Sequence, residues 1–355
     1  MTTGENLFLQ GKIDEAYKAL QDELTGRNCY LLGLIFREGL GHQKADEEKA
    51  VKYFRKGKEM GDPLCGISLF SGAKDKALWD TVNEDFSRIL LSAQAGDVFA
   101  MDEAGLFYTG NGMILDYEEG MKWLAKGAFY EYWKALYDLG IAYEEGLATA
   151  PDEEKAKICF KKAAEYQDKN SEYELAQLLY EDPAHKGEAI RLMEKSADHG
   201  NEEAAFFLGG YYLTEAERPD AHKAFHWFET AARLGSLEAM EELSGFYEQG
   251  LVVPRDLKKA ADILKDSYTL GNKNALFTLA LFYLDHGKEE EALPFLEAAA
   301  GFPNDKAAYL AGMMYLNGKG TEQNREKAID YLTMAADLGN TEAEEELLSQ
   351  GIMKF

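Results

Sequence analysis

The sequence contains few of the residues that build disulfides or metal sites. Of its 355 residues, only three are cysteine, six are histidine and seven are proline. Cys29, Cys65 and Cys159 are widely spaced within helical patterns, so we expect buried, unpaired thiols in a reducing compartment. No apolar run approaches the roughly 18 residues that span a bilayer, and no signal peptide is visible after Met1. These absences predict a cytoplasmic protein.

Positive charge is also scarce. The chain has 38 Lys and Arg against 64 Asp and Glu, which gives a formal net charge of −26. Such an excess repels phosphate backbones and anionic membrane surfaces, so we expect neither nucleic acid binding nor membrane insertion. An apolar share of 46% excludes a mostly disordered chain, and the low proline content together with many Ala, Leu, Glu and Lys favours helix.

Two motifs alternate along the chain. One has Lys or Glu before Ala, then an apolar pair, two Ala and a Gly; its clearest copy runs from Lys223 to Gly235. Its alanine position recurs at 50, 85, 120, 156, 189, 224, 260, 292 and 328, a period of 32–36 residues. The other motif, Ala-x-x-x-Leu-Gly-x-x-Tyr-x-x-Gly, precedes it and is clearest from Ala135 to Gly146. Both space their apolar residues at three and four, so each predicts a helix with one apolar face.

Polar residues and glycines mark the ends and contacts of these helices. A residue that can cap a helix precedes five copies of the second helix: Asp116, Asp152, Asp220, Asp256 and Asn324. A glycine that can end a helix follows six copies: Gly61, Gly96, Gly200, Gly235, Gly271 and Gly339. Five glycines inside the first helix predict close approach of its partner: Gly33, Gly105, Gly140, Gly209 and Gly312. The unit is therefore helix A, loop, helix B and tight turn.

These alternating motifs resemble those of the Sel-one-like repeat (SLR) family, whose members are tetratricopeptide-type α/α solenoids. The resemblance covers residues 28–340 and implies an all-α, right-handed superhelical solenoid of about nine helix-turn-helix repeats in one domain, 1–355. Residues 1–27 resemble an N-terminal capping helix, with a lone helix B from Lys12 to Thr25, and residues 341–355 a C-terminal capping helix. Family members act as adaptors, so the resemblance implies a protein–protein interaction scaffold that is not an enzyme.

In solenoids of this type helix A lines the concave face, and the residue two before the motif leucine points into the groove. That position forms a column, here called the helix A column: Tyr30, Ile67, Asp102, Tyr137, Tyr173, Phe206, Glu241, Phe277 and Tyr309. A second column, two residues after the leucine, contributes Ile141, Gln177 and Met313. From the two columns we expect a peptide-binding surface of Tyr30, Tyr137, Ile141, Tyr173, Gln177, Phe206, Phe277, Tyr309 and Met313.

Acidic side chains stand near the ends of helix A and predict a rim around this surface: Glu144, Glu145, Glu248 and Asp285. An apolar trough with acidic edges suits an extended or helical peptide with basic flanks. The alternative is that the aromatic residues pack one helix A against the next. We expect a monomer or a weak homodimer, and a homo-oligomeric structural protein is the other role open to this surface.

Catalytic and metal-binding patterns are poorly represented. Gly318–Thr321 lacks the Lys-Ser/Thr pair of a phosphate loop, so an ordinary inter-helix loop is the better interpretation. His222 and His226 have a spacing that suits zinc. Ala224 and Trp227 are expected on the buried face of that helix, however, which places the two histidines on its outward face. We therefore expect no metal, no cofactor and no catalytic residues. A hydrolase built as an α/α toroid remains the enzymatic alternative, and it would need longer loops.

Overall fold

The computed structural model describes residues 1–70, 79–111, 115–216 and 218–352, and within these ranges the chain is helical with no β-strand. The chain divides into two compact units, Met1–Leu208 (unit 1) and Gly209–Phe355 (unit 2). The all-α solenoid predicted from the repeats is confirmed. The number of repeats and the right-handed superhelix stay predictions.

Unit 1 contains helices that alternate between the A and B positions, the last of which crosses into unit 2. They are α1 (Thr3–Leu9), α2 (Ile13–Asp22), α3 (Gly26–Glu38), α4 (Glu47–Glu59), α5 (Pro63–Ser68), α6 (Trp79–Gln94), α7 (Val98–Leu106), α8 (Tyr117–Phe129), α9 (Trp133–Glu145), α10 (Glu153–Ala164), α11 (Lys169–Tyr180), α12 (Lys186–Asp198) and α13 (Glu202–Gly210). Helices α7 and α13 continue into π-helical turns at Phe107–Asn111 and Tyr211–Glu215.

Unit 2 continues the alternation and ends on a lone helix in the A position. Its helices are α14 (Ala221–Leu234), α15 (Leu237–Gln249), α16 (Leu257–Thr269), α17 (Ala275–Asp285), α18 (Glu289–Ala300), α19 (Asp305–Asn317), α20 (Arg325–Asp337) and α21 (Thr341–Ser349). None of the helices described in either unit is long and apolar enough to cross a membrane.

Several A–B loops are closed by the same set of contacts, whereas the N-caps of α2, α12 and α18 make no side-chain hydrogen bond. In the α9–α10 pair, the motif Tyr143 carbonyl accepts the Asp152 N–H (2.9 Å), and the Asp152 carboxylate accepts the N–H of Lys155 (3.1 Å). The Lys155 ammonium then lies 5.2 Å from the centre of the Tyr143 ring. All five predicted caps hold a helix N-terminus in this way, which confirms that prediction. The repeated Tyr and Lys are therefore parts of one loop-closing device.

The glycines inside helix A create space for a side chain of helix B. A Cβ added to Gly140 would lie 2.5 Å from a ring carbon of Phe160, and one added to Gly33 would lie 2.3 Å from the Phe54 ring. Gly105, Gly209 and Gly312 meet a helix B Leu or Phe in the same way. The predicted close approach is confirmed, and its occupant is the second residue of the apolar pair.

Two further predictions about single residue types are also confirmed. All six glycines expected to end a helix have positive φ, from 88° at Gly61 to 130° at Gly235. All three cysteines are buried and unpaired.

The N-terminal segment differs from its prediction. The sequence indicated a lone helix B, whereas α2 is preceded by the short helix α1, and the two pack as an A–B pair. The short α1 escaped detection because its seven residues carry no copy of the Ala-x-x-x-Leu-Gly motif. The irregular stretch Gly72–Lys76, which the sequence left open as a loop or a distorted helix, lies outside the described residues.

Candidate functional site

The exposure of the helix A column changes along the chain, from buried residues at its start to partly exposed residues further on. Its first three residues, Tyr30, Ile67 and Asp102, are buried, with exposed fractions of 0%, 6% and 0%. Its last six residues are all partly exposed: Tyr137, Tyr173, Phe206, Glu241, Phe277 and Tyr309. The prediction that Tyr30 lines an open groove is therefore wrong, and this residue belongs to the core of unit 1.

The start of the column is buried because α1 and distant A helices fill the space in front of it. Phe8 of α1 packs on Phe99 (ring centres 6.3 Å apart) and Trp133 (5.7 Å), and the Trp133 indole N–H donates to the Phe8 carbonyl (3.0 Å). The Tyr30 hydroxyl donates to the Glu103 carboxylate (2.6 Å). Contacts over such sequence separations require A helices of non-adjacent repeats to meet, which a period in the sequence does not reveal.

The column becomes accessible on α9, α11 and α13 of unit 1. We call this the aromatic–acidic surface and define it by Tyr137, Ile141, Glu144, Tyr173, Glu174, Gln177, Glu203 and Phe206. Tyr137, Tyr173 and Phe206 are half-buried, Ile141 likewise, and Gln177 is exposed. The Tyr137 ring packs against the ring of Phe160 of α10, whose centre lies 6.0 Å away.

Negative charge is concentrated in the same place. Partial burial, together with repulsion from Glu144, Glu203 and Asp168, raises the pKa of Glu174 to about 7. Burial and the neighbouring Glu145 and Glu153 also raise the pKa of Glu144. Carboxylates in this state gain most from a positive charge brought against them, because such a charge offsets both the repulsion and the lost hydration.

Glu174 and Glu203 were missed by the sequence analysis. Glu174 directly follows the column residue Tyr173, and Glu203 lies three residues before Phe206. A search of the positions beside the column for acidic residues would have found Glu174. Burial and mutual repulsion are properties of the packed helices, however, and carboxylates are too abundant in this chain for the pattern to stand out.

The predicted residues of unit 2 form a separate surface on α17 and α19. Phe277, Tyr309 and Met313 are half-buried there. Of the predicted rim, Glu145 and Asp285 are exposed, whereas the Glu248 carboxylate lies 3.6 Å from Nε2 of His286. No group of three or more His, Cys, Asp or Glu among the described residues is arranged to hold a metal ion.

Comparison with known proteins identifies the repeats. A family model described as "Sel1 repeat" matches residues 29–62, 99–128, 133–165, 170–201, 202–236, 237–272 and 305–340. These ranges include the helix pairs that carry the motifs. They leave out residues 63–98, where helix A is only the six-residue α5, and residues 273–304.

Relatives with curated names and solved structures match as well. DAP3-binding cell death enhancer 1 of Rattus norvegicus is 29% identical over 224 residues, which are 57% of this chain and 44% of that protein. The chain thus spans less than half the length of this relative. A Sel1 repeat protein from Oxalobacter formigenes superposes with a TM-score of 0.58 at 25% identity, covering 84% of this chain and 89% of that one. A protective antigen of uropathogenic Escherichia coli with an SLR fold gives 0.57 at 22% identity, covering 97% and 76%.

Proposed function

Because the chain belongs to the Sel1 repeat family, whose members generally mediate protein–protein interactions, we propose that it is a non-enzymatic adaptor that captures another protein. The binding surface in this proposal is the aromatic–acidic surface of α9, α11 and α13. The partner presents an extended or helical segment with basic residues, and the setting is the cytoplasm. Phe277, Tyr309 and Met313 of unit 2 provide a second apolar contact surface.

One observation carries the proposal: aromatic rings that stay partly exposed stand beside carboxylates that repel one another. Rings such as Tyr137 and Tyr173 supply large contact area at low entropic cost, as binding surfaces require. Lys or Arg side chains of a partner would offset the repulsion around Glu174. The relative named for its binding of DAP3 supports an adaptor role in the same family.

The aromatic rings should decide whether a partner is captured. We expect the double variant Tyr137→Ala/Tyr173→Ala to lose partner capture from native lysate while keeping its helical circular dichroism. A stability loss of about 1 kcal/mol should accompany it, since Tyr137 packs on Phe160, so capture is measured well below the melting temperature.

The matched control is Phe129→Ala/Tyr130→Ala, which removes two exposed rings elsewhere in unit 1 (81% and 58% exposed). This control should capture the same proteins as the unaltered chain. Equal capture by the Tyr137→Ala/Tyr173→Ala variant would contradict the proposed surface, and a large fall in its melting temperature would mark the two rings as core.

The charge of Glu174 should make binding depend on pH. With a pKa of about 7, Glu174 loses its proton as pH rises from 6 to 8, so affinity for a Lys- and Arg-rich peptide should increase over this range. We expect Glu174→Gln to weaken binding of that peptide about tenfold at pH 8 and to flatten the dependence of its affinity on pH. Titration with fluorescent basic peptides selected from a random library measures both effects. Glu229→Gln, on α14, is the control, and an unchanged pH profile in Glu174→Gln would exclude the carboxylate from the contact.

A further inference from the structure

A polar cluster lies buried at the centre of unit 1, where three A helices meet. Lys134 of α9 lies 3.2 Å from the Glu38 carboxylate of α3 and 3.4 Å from Asp138 of its own helix. The Tyr30 hydroxyl of α3 donates to Glu103 of α7 (2.6 Å). These contacts join α3, α7 and α9, which belong to different repeats.

Asp102 of α7 is the exceptional member of this cluster. Its side chain is fully buried, and no donor among the described residues reaches either of its oxygens. The group that does face it within hydrogen-bond range is the carboxyl of Asp138. Two ionised carboxylates offer only acceptors, so a hydrogen bond between them requires that one of them carry a proton.

The surroundings decide which carboxyl holds that proton. Burial and the negative charge of Asp138 raise the pKa of Asp102 well above its usual range. The negative charge of Glu103 raises this pKa further, whereas the positive charge of Lys134 lowers it. Burial also raises the pKa of Asp138, but Lys134 and the hydrogen bond from Asp102 oppose this rise.

Other titratable groups around the pair are Glu38 and Tyr30 of α3, Tyr132, which precedes α9, and Tyr137 beside Asp138. Burial favours the neutral phenol at the three tyrosines, and Glu38 adds a further negative charge beside Asp138. The proton therefore belongs on Asp102, and Asp138 remains the ionised partner of Lys134.

We propose that Asp102 is protonated in the folded protein and donates that proton to the Asp138 carboxylate, so that α3, α7 and α9 come together only with uptake of one proton. The packing of α3, α7 and α9 in unit 1 thus depends on a proton, and this buried cluster is distinct from the aromatic–acidic surface. In the unfolded chain Asp102 is ionised above about pH 4. Since the folded state holds one more proton, this carboxyl lowers stability as pH rises from that value.

Asp102→Asn tests the proposal, because asparagine keeps the shape and donates to Asp138 without needing a proton. The unfolding equilibrium constants of the unaltered chain and of Asp102→Asn are measured by chemical denaturation at pH 5, 6 and 7. We expect the unfolding constant of the unaltered chain, divided by that of Asp102→Asn, to grow with pH by up to about tenfold per pH unit for as long as the folded chain keeps the Asp102 proton. The control Asp262→Asn, at an exposed position on α16, should leave the ratio constant.

A second measurement does not depend on any variant folding. The folded protein, studied by infrared spectroscopy well above pH 7 where Glu174 is ionised, should show the C=O band of a protonated carboxylic acid, and unfolding should abolish it. Parallel pH profiles for the unaltered chain and Asp102→Asn would overturn the proposal, and so would the absence of that band.

Discussion

Replacing Phe8 with alanine should lower the free energy of unfolding by about 3–5 kcal/mol, the range observed when a fully buried Phe is truncated. Phe8 is 0% exposed and packs on the rings of Phe99 and Trp133, which lie on the A helices of two other repeats. The variant would leave a cavity where three separate segments of unit 1 meet. Because Phe99 and Trp133 are held in helices α7 and α9, we expect little relaxation into that space.

Phe129→Ala is the matched control for this experiment. It makes the same chemical change at a ring that is 81% exposed, so its effect should stay within about 0.5 kcal/mol. Chemical denaturation followed by far-ultraviolet circular dichroism measures both variants. Similar midpoints for Phe8→Ala and Phe129→Ala would show that α1 does not contribute to the core of unit 1.

The repeat unit itself was predictable because its determinants are local. A capping Asp152, an aromatic Tyr143 and a Lys155 lie within 13 consecutive residues, and the contacts among them close one loop. Gly140 and Phe160 lie in adjacent helices of a single repeat, so the absence of a side chain at one position implied a close neighbour. Contacts with this short range recur with the period, and the period makes them visible.

The state of the binding surface was harder to predict because non-local contacts determine it. Tyr30 and Tyr137 occupy equivalent positions in the motif, yet one is fully buried and the other half-exposed. The difference comes from Glu103, which accepts the Tyr30 hydroxyl, and from the packing of Phe8 on Phe99, and both contacts depend on how successive repeats curve. Small rotations between neighbouring repeats accumulate along a solenoid, and a motif that describes one repeat does not specify their sum.

Removing the positive charge of Arg27 should destabilise unit 1 by about 3 kcal/mol. Arg27 of α3 contacts the Asp62 carboxylate (3.1 Å) and both oxygens of Asp97 (3.1 and 2.8 Å), and its guanidinium lies over the Phe99 ring. Asp62 and Asp97 are the N-caps of α5 and α7, so this residue links the starts of three A helices. Without it, two largely buried carboxylates lose their cation, a change that typically costs about 3–5 kcal/mol. The backbone N–H groups that Asp62 and Asp97 cap still stabilise the two carboxylates in part, so we expect the lower end of this range.

Three variants separate the charge from the packing of the side chain. Arg27→Met keeps most of the apolar stem and should be nearly as unstable as Arg27→Ala if the ion pairs dominate. Lys122→Ala, which also removes one positive charge but breaks an exposed pair with Glu119, should cost less than about 1 kcal/mol. Adding Asp62→Asn and Asp97→Asn to Arg27→Met should recover part of the loss, because asparagine still caps a helix and carries no charge. If Arg27→Met unfolds at the same denaturant concentration as Lys122→Ala, the start of unit 1 is held together by its apolar contacts and not by this bridge.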